Sequence, residues 1–484
     1  MEPIVITMGI IGVYLAINIG VSILARIRGT LSMEKYLLAG RALGIFLLYF
    51  MVVADIYSGF AFLGCPGWAY KFGAPVAYVF AYASIAYTVG YYVGPMVRRF
   101  GRKLGFVTEP DFFEARYESP TLGTLVAIIG IAFFLPYIQL QLMGGGLVFS
   151  AASYGTISTT WGMIIATVVA AVYVFTSGLR GTAWISLIQA ILMFGIAAVS
   201  LGWIVPMLFG SVGGLFAAMA ATHPKWLVLP GGAGIHPPAW YASTALLCGL
   251  GFFMWPHLFA DLYTAESEDT LKRTFVFSPL YTFMILFVTI LGFAALLKKP
   301  GITPPDMSVL EIIKATAPTW LFGLLGAGGL AATMSTYDTL ALCGSGLVGE
   351  NIYHKRINPA ASDERVAWVT RWLLVPILGV SLLLAVYAPK MLVRLLLIGY
   401  SGITQFFPGV ILGLHWKRVS KAGVLAGMIA GVVVASIFAF TPLKPPFRIH
   451  EGLWGLMVNF LITIPVSLVT KPPSEKTLKD FELL

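Results

Sequence analysis

Two aspartates, a Ser-Thr pair and a histidine stand out in this 484-residue chain, because each interrupts a long apolar stretch. An ionisable group in hydrocarbon costs several kcal/mol, so Asp55 and Asp338 are candidates for chemistry. Each reads either as a group that binds or relays a cation or as a hydrogen-bonded structural carboxylate. In Ala331-Ala332-Thr333-Met334-Ser335-Thr336 two adjacent hydroxyls follow small residues. A hard cation such as Na⁺ prefers hydroxyl and carbonyl oxygens to nitrogen or sulfur. The plainer role for the same hydroxyls is bonding back to the preceding turn. His257 follows Pro256, and a lone buried histidine is more often satisfied locally than a ligand. Tyr137, Gln139, Gln141, Trp255, Tyr400 and Gln405 could line a cavity, although packing is the commoner role of each taken singly. Gly144-Gly145-Gly146 allows close helix approach. No nucleophile–base set, phosphate loop or dinucleotide fingerprint is visible, so nothing in the sequence supports an enzyme. Cys65, Cys248 and Cys343 have no metal-ligand spacing, so zinc and disulfides are not expected.

The elements that must position these residues are membrane helices. Apolar residues make up 58% of the chain and charged residues 11%, against about 45–50% and about 25% in soluble domains. A helix of about 20 apolar residues crosses the ~30 Å hydrocarbon layer. About thirteen such segments are predicted, at 3–26, 43–66, 72–97, 121–149, 160–177, 182–207, 239–262, 274–297, 317–347, 366–387, 391–414, 420–441 and 451–470. They form one domain over 1–470, followed by a short polar tail, 471–484, expected to be loose. The stretch 208–238 is expected to be external, with irregular chain and an interfacial Trp226. Only Glu2 precedes the first span, whereas Arg26 and Arg28 follow it, which predicts a retained helix with its N-terminus outside. Alternating from there, about 22 of the Lys and Arg side chains fall inside, including Lys35, Arg41, Arg98, Arg99, Lys355, Arg356, Lys417 and Arg418. The C-terminus is then cytoplasmic. The net charge of +10 is explained by this face, and no soluble module is present to bind nucleic acid.

Two spans carry signs of interruption. The second contains Asp55-Ile56-Tyr57-Ser58-Gly59 and then Gly64-Cys65-Pro66-Gly67; the seventh contains Gly249-Leu250-Gly251 and then Pro256-His257. Lying five helices apart, they would occupy equivalent places in a five-plus-five repeat of inverted topology. Paired broken helices point to a binding site at the bilayer midplane.

Several motifs, taken in order, resemble one family, the sodium:solute symporters. They are Tyr36-Leu37-Leu38-Ala39-Gly40-Arg41; Ser58-Gly59-Phe60 with Gly64-Cys65-Pro66-Gly67; Ser177-Gly178-Leu179-Arg180-Gly181-Thr182-Ala183-Trp184 with Gln189; Gly249-Leu250-Gly251-Phe252-Phe253 with Pro256-His257; Ala332-Thr333-Met334-Ser335-Thr336; and His415-Trp416-Lys417-Arg418 with Ala422-Gly423. The matches run from roughly 36 to 431. The resemblance implies an all-α LeuT-type fold, with helices two to six (about 43–207) and seven to eleven (about 239–414) as the inverted repeats. It implies a sodium site made by the carbonyls of Ala54, Tyr57 and Ala332 and the hydroxyls of Ser335 and Thr336. It places Ser58, Gly59, Phe60, Tyr137 and Cys248 near the substrate, with Trp255 as a gate or wall.

The chain also departs from the proline symporters of that family. Ile56 stands where they carry Asp, and Cys248 where they carry a pocket Trp. Gln139 and Gln141 with Trp255-Pro256-His257 look closer to the monocarboxylate and pantothenate branches. Half-helix N-termini suit a carboxylate. The expected function is sodium-coupled import of a small organic solute bearing a carboxylate. The alternatives are proton coupling through Asp55 or Asp338 in the same fold, and a non-transporting solute sensor.

Overall fold

The computed structural model describes residues 2–24 and 33–484, without the side chains of Ser22, Lys35, Tyr173 and 176–183. Arg26 and Arg28, expected at the inner end of the first span, lie outside the described residues, as do the side chains of Lys35 and of the motif 177–183.

Among the described residues no strand forms; one isolated bridge joins Leu43 to Ala265. The first half of the chain contains α1 (Pro3–Leu24), α2 (Met33–Leu38), α3 (Ile45–Ile56), α4 (Cys65–Phe72), α5 (Tyr78–Leu104), α6 (Glu109–Tyr117), α7 (Pro120–Ala152), α8 (Thr159–Val199), α9 (Val205–Phe209) and α10 (Val212–Thr222). The second half contains α11 (Pro238–Gly251), α12 (Pro256–Thr264), α13 (Glu268–Lys298), α14 (Ser308–Thr316), α15 (Thr319–Gly346), α16 (Asp363–Tyr387), α17 (Leu392–Ile403), α18 (Phe407–His415), α19 (Lys421–Phe440), α20 (Glu451–Val469) and α21 (Glu475–Asp480).

Local chemistry sets many of these boundaries. Ser119, Ser158, Ser267, Ser362 and Ser420 cap helix N-termini with their hydroxyls, satisfying amides that the first turn leaves unpaired. Gly105, in the left-handed conformation, ends α5, and the Thr108–Asp111 capping box starts α6.

Among the described residues, nine helices are long and apolar enough to cross a membrane, or up to eleven when each of two bent pairs counts as one span. The bent pairs are the two interruptions read from the sequence: α3 and α4, bent by 47°, and α11 and α12, bent by 50°. Two further predicted spans correspond to the apolar stretch Thr159–Val172 of α8 and to the 28-residue α15. Val276, Leu461 and other large apolar side chains stay exposed on the outer face, as a lipid-facing belt requires.

The structure corrects three expectations. The predicted spans 160–177 and 182–207 are not separated by a loop, because α8 runs helical from Thr159 to Val199. The stretch 208–238 is not simply irregular: α10 lies within it, and Trp226 donates its indole N–H to the Tyr70 carbonyl at 3.2 Å. The tail is docked, because Phe481 is buried against Phe100 and Phe112.

The centre of the bundle is α15, which packs against α1, α3, α7, α8 and α16 and is buried along most of its length. Around it, α5 contacts α11 and α13, α13 contacts α4, and α17 contacts α7. Gly292 lets α13 lie against the first broken span: a Cβ there would stand 2.1 Å from the Pro66 carbonyl oxygen.

Candidate functional site

The first break begins where α3 stops. Tyr57 leaves helical geometry at φ −83° and ψ 68°, a short Tyr57-Ser58-Gly59 linker follows, and a π-helical turn, Phe60–Gly64, leads into α4. A broken helix frees carbonyls that hydrocarbon cannot satisfy. Here α15 satisfies them. The Ser335 hydroxyl donates to the Ala54 carbonyl at 2.8 Å and sits 3.2 Å from the Ala332 carbonyl. The Thr336 hydroxyl donates to the Asp55 carbonyl at 2.9 Å. All these groups are buried.

Four of the five residues expected around a cation therefore meet: Ala54, Ala332, Ser335 and Thr336. The second hydroxyl reaches the carbonyl of Asp55 instead of that of Tyr57. The Tyr57 ring packs edge-on against Tyr281, 5.4 Å away. Carbonyl and hydroxyl oxygens are the ligands a hard monovalent cation takes, so the donor set fits Na⁺.

The other side of the linker is held by α7. Gln141 accepts the Gly59 amide proton at 2.9 Å, and Ser58 Oγ accepts that of Phe60 at 3.2 Å. A Cβ on Gly59 would come within 2.9 Å of both Gln141 and Thr333, so only glycine lets the three elements converge. Gly144 packs over Thr333 in the same way, its Cβ position 2.7 Å from Thr333 Cγ2.

Between the two broken spans lies a nearly closed cavity of about 10 Å³, lined by Asp55, Phe60, Tyr137, Phe252, Trp255 and Tyr400 among others. Trp255 is held by Tyr137 and Tyr400, with ring centroids 4.9 and 5.3 Å away. Phe60, Tyr137 and Trp255 thus face this space together. Ser58, Gly59 and Gln141 form the break beside it. Cys248 is fully buried on α11 and is not among the lining residues.

Two other residues singled out in the sequence hold structure. Gln139 donates to the carbonyls of Leu384 and Ala388 at 3.1 and 2.8 Å. Gln405 donates to those of Ser401 and Gly452 at 3.0 and 3.1 Å. Asp338 is buried on α15, in electrostatic reach of Tyr14 and Asp55. His257 packs edge-on to Phe134 and lines a second cavity, with Asp261, Thr339 and Cys343.

Sequence reasoning missed Asp261. It sits inside the predicted span 239–262, so the signal was the one that picked out Asp55: an ionisable side chain within hydrocarbon. In the structure it is buried on α12 and its carboxyl meets that of Asp55.

At one end of the bundle the cationic clusters converge. Arg41 donates to the Phe106 carbonyl at 2.6 Å, and Arg98 to the Ala265 carbonyl at 2.8 Å. Asp111 accepts from Asn351 and Lys355 at 2.8 and 2.7 Å, and Arg356 pairs with Glu114 at 2.8 Å. These bonds fasten α6 to the continuation of α15. Lys355 is held above its usual pKa chiefly by Asp111, against the effect of its own burial.

Comparison with known proteins identifies the fold and the family. The chain is 34% identical over 472 residues to the uncharacterized symporter YhjB of Bacillus subtilis (strain 168), covering 94% of this chain and 96% of that one. It is 26% identical over 452 residues to the monocarboxylate transport permease protein of Rhizobium johnstonii, covering 90% of each. A solved structure of a Na⁺-coupled sialic acid symporter, in a substrate-bound outward-open state, superposes with a TM-score of 0.80 at 17% identity, over 97% of this chain and 99% of that one. That likeness shows the fold, which is the LeuT type. The sodium:solute symporter family matches residues 36–431, and the chain belongs to that family.

Proposed function

We propose that this protein imports a small organic anion together with Na⁺ by alternating access. The observation that carries the reading is the meeting of Ser335 and Thr336 with the Ala54 and Asp55 carbonyls at 2.8 and 2.9 Å. Without a cation each hydroxyl proton bonds a carbonyl. Na⁺ would be held by these hydroxyl and carbonyl oxygens together with the Ala332 carbonyl, and would brace α15 against α3. Tyr57, the remaining residue of the expected set, lies two residues beyond Asp55, at the start of the linker. Entry of Na⁺ favours the state in which the substrate cavity is formed, and its loss to a low-sodium compartment releases the brace. The ion acts only through its different affinity for the two states.

A carboxylate substrate is supported by two features. The amides that begin the π-helical turn at Phe60 present the positive end of a half-helix. The aromatic walls Tyr137, Trp255 and Tyr400 suit a small organic body. The monocarboxylate permease among the relatives favours the same class. The repeats are assigned to about 43–207 and 239–414, with the N-terminus outside and the C-terminus in the cytoplasm.

Reconstituted uptake of labelled monocarboxylates, pantothenate, amino acids and sugars, with and without an inward Na⁺ gradient, tests both halves of the proposal. The Ser335→Ala/Thr336→Ala double variant is expected to lose sodium stimulation; unchanged stimulation removes the site assignment. Accumulation driven by a pH gradient in sodium-free medium would instead favour proton coupling, and binding without accumulation would favour a sensor.

A further inference from the structure

Beside the Ser335–Thr336 contacts, two buried carboxyl groups come together from different spans. Asp55 lies on α3, before the first break, and is 2% exposed; Asp261 lies on α12, after the second break, and is 3% exposed. Their side chains interact directly. Asp55 Oδ1 accepts the Thr339 hydroxyl at 2.8 Å. Asp55 Oδ2 and Asp261 Oδ2 are both buried and meet no donor other than the facing carboxyl. Among the described residues no lysine or arginine bonds either group. The charged neighbour in electrostatic reach, Asp338 on α15, is itself acidic.

Buried carboxylates are stable only when paired or coordinated. Two buried carboxyl groups in contact share a proton, and a cation entering between them takes that proton's place. The chemistry that fits is a hard monovalent cation, held by carboxylate and hydroxyl oxygens. We propose that Asp55, Asp261 and Thr339 form a second Na⁺ site, distinct from the one at Ser335 and Thr336.

The placement gives this site a role. Asp55 lines the central cavity. Asp261 and Thr339 line the second cavity, of about 20 Å³, together with Val107 and Thr108 at the α6 end of the bundle. The pair therefore stands between the substrate cavity and the end where the cationic clusters converge. A cation there ties both broken spans to α15, whereas the Ser335–Thr336 site ties only the first. Asp261 becomes a coupling residue that links the two halves of the transporter.

This inference rests on the sodium-coupled reading above, and the test separates the two. Radiolabelled Na⁺ binding and the sodium dependence of uptake are measured on the purified full chain in proteoliposomes. Wild type is expected to bind two Na⁺ per chain and to show cooperative sodium activation. Asp261→Asn is expected to bind one, to lose the cooperativity, and to need about tenfold more Na⁺ for half-maximal uptake. Ser335→Ala/Thr336→Ala is expected to keep binding at the acidic pair. One Na⁺ per wild-type chain overturns the second site while leaving the first standing, and that measurement needs no variant to fold. Proton uptake that disappears in Asp261→Asn, with sodium binding unchanged, also overturns it, because the pair then holds a proton. No Na⁺ binding at all overturns both readings.

Discussion

Gln141 shows what a single side chain contributes at the break. Its Oε1 is the acceptor for the Gly59 amide, which the interrupted helix has left without a backbone partner. Replacing it by leucine keeps the volume and strands a buried N–H, which costs about 1–3 kcal/mol. Gln141→Leu is therefore expected to lower the thermal unfolding midpoint of the purified protein and to impair uptake. A variant that melts and transports like wild type would show that the Gly59 amide finds another acceptor. Ser335 and Thr336 differ from Gln141 in what they face. Their hydroxyls point at carbonyls, so an oxygen-seeking cation can enter between them, whereas Gln141 satisfies a donor and offers a cation little.

At the scale of helices, close approach decides which spans can bend around the cavity. Gly292 brings α13 against the Pro66 carbonyl, and Gly399 brings α17 against Trp255, where a Cβ would stand 2.4 Å from the indole. Backbone cannot yield as a flexible side chain does, so Gly292→Ala must push α13 away from α4. We expect a loss of about 1–3 kcal/mol, the usual cost of overpacking, read as a lower melting temperature and a smaller folded yield. Gly9 on α1 has open space at the same test position, and Gly9→Ala is expected to melt like wild type. Equal behaviour of the two variants would mean that α13 and α4 are free to separate.

At the scale of the whole molecule, the C-terminal tail joins elements that the sequence keeps far apart. The segment α21 follows Ser474, which donates to Glu118 at the end of α6, as does Thr477 at 2.5 Å. Arg99 on α5 pairs with Glu482 at 3.0 Å and with Glu268 at the start of α13 at 2.9 Å. Phe481 fills the space between them. Phe481→Ala is expected to detach the tail and expose it to protease at an unchanged fold of the spans; equal resistance would show that the polar contacts suffice. The docking also carries a pH dependence. Hydrogen bonds from Ser474 and Thr477 hold the Glu118 carboxyl below its usual pKa. A depressed carboxylate stabilises the docked form fully above the ordinary glutamate value of about 4.3, and the contribution fades as the pH falls through its lowered value. Protease protection of the tail should therefore drop in acid, and less so in Glu118→Gln.

The sequence by itself determined the class of protein, the two interrupted spans and the Ser-Thr pair. These depend on composition, on proline and glycine, and on a run of adjacent residues, all of which are local. Asp55 stands out in the sequence because one charge among apolar neighbours needs no partner to be noticed. What sequence could not decide was who meets whom. Ser335 and Ala54 are 281 positions apart, and the shift of the second hydroxyl from Tyr57 to Asp55 follows from where α3 ends against α15. The meeting of Asp261 with Asp55, the Gln141 bond to Gly59 and the docking of Phe481 are likewise products of helix packing. Hydrophobic pattern fixes that a span is buried, but the rotation and depth of one helix against another are set by side-chain contacts distributed over the whole bundle, and only the tertiary structure contains them.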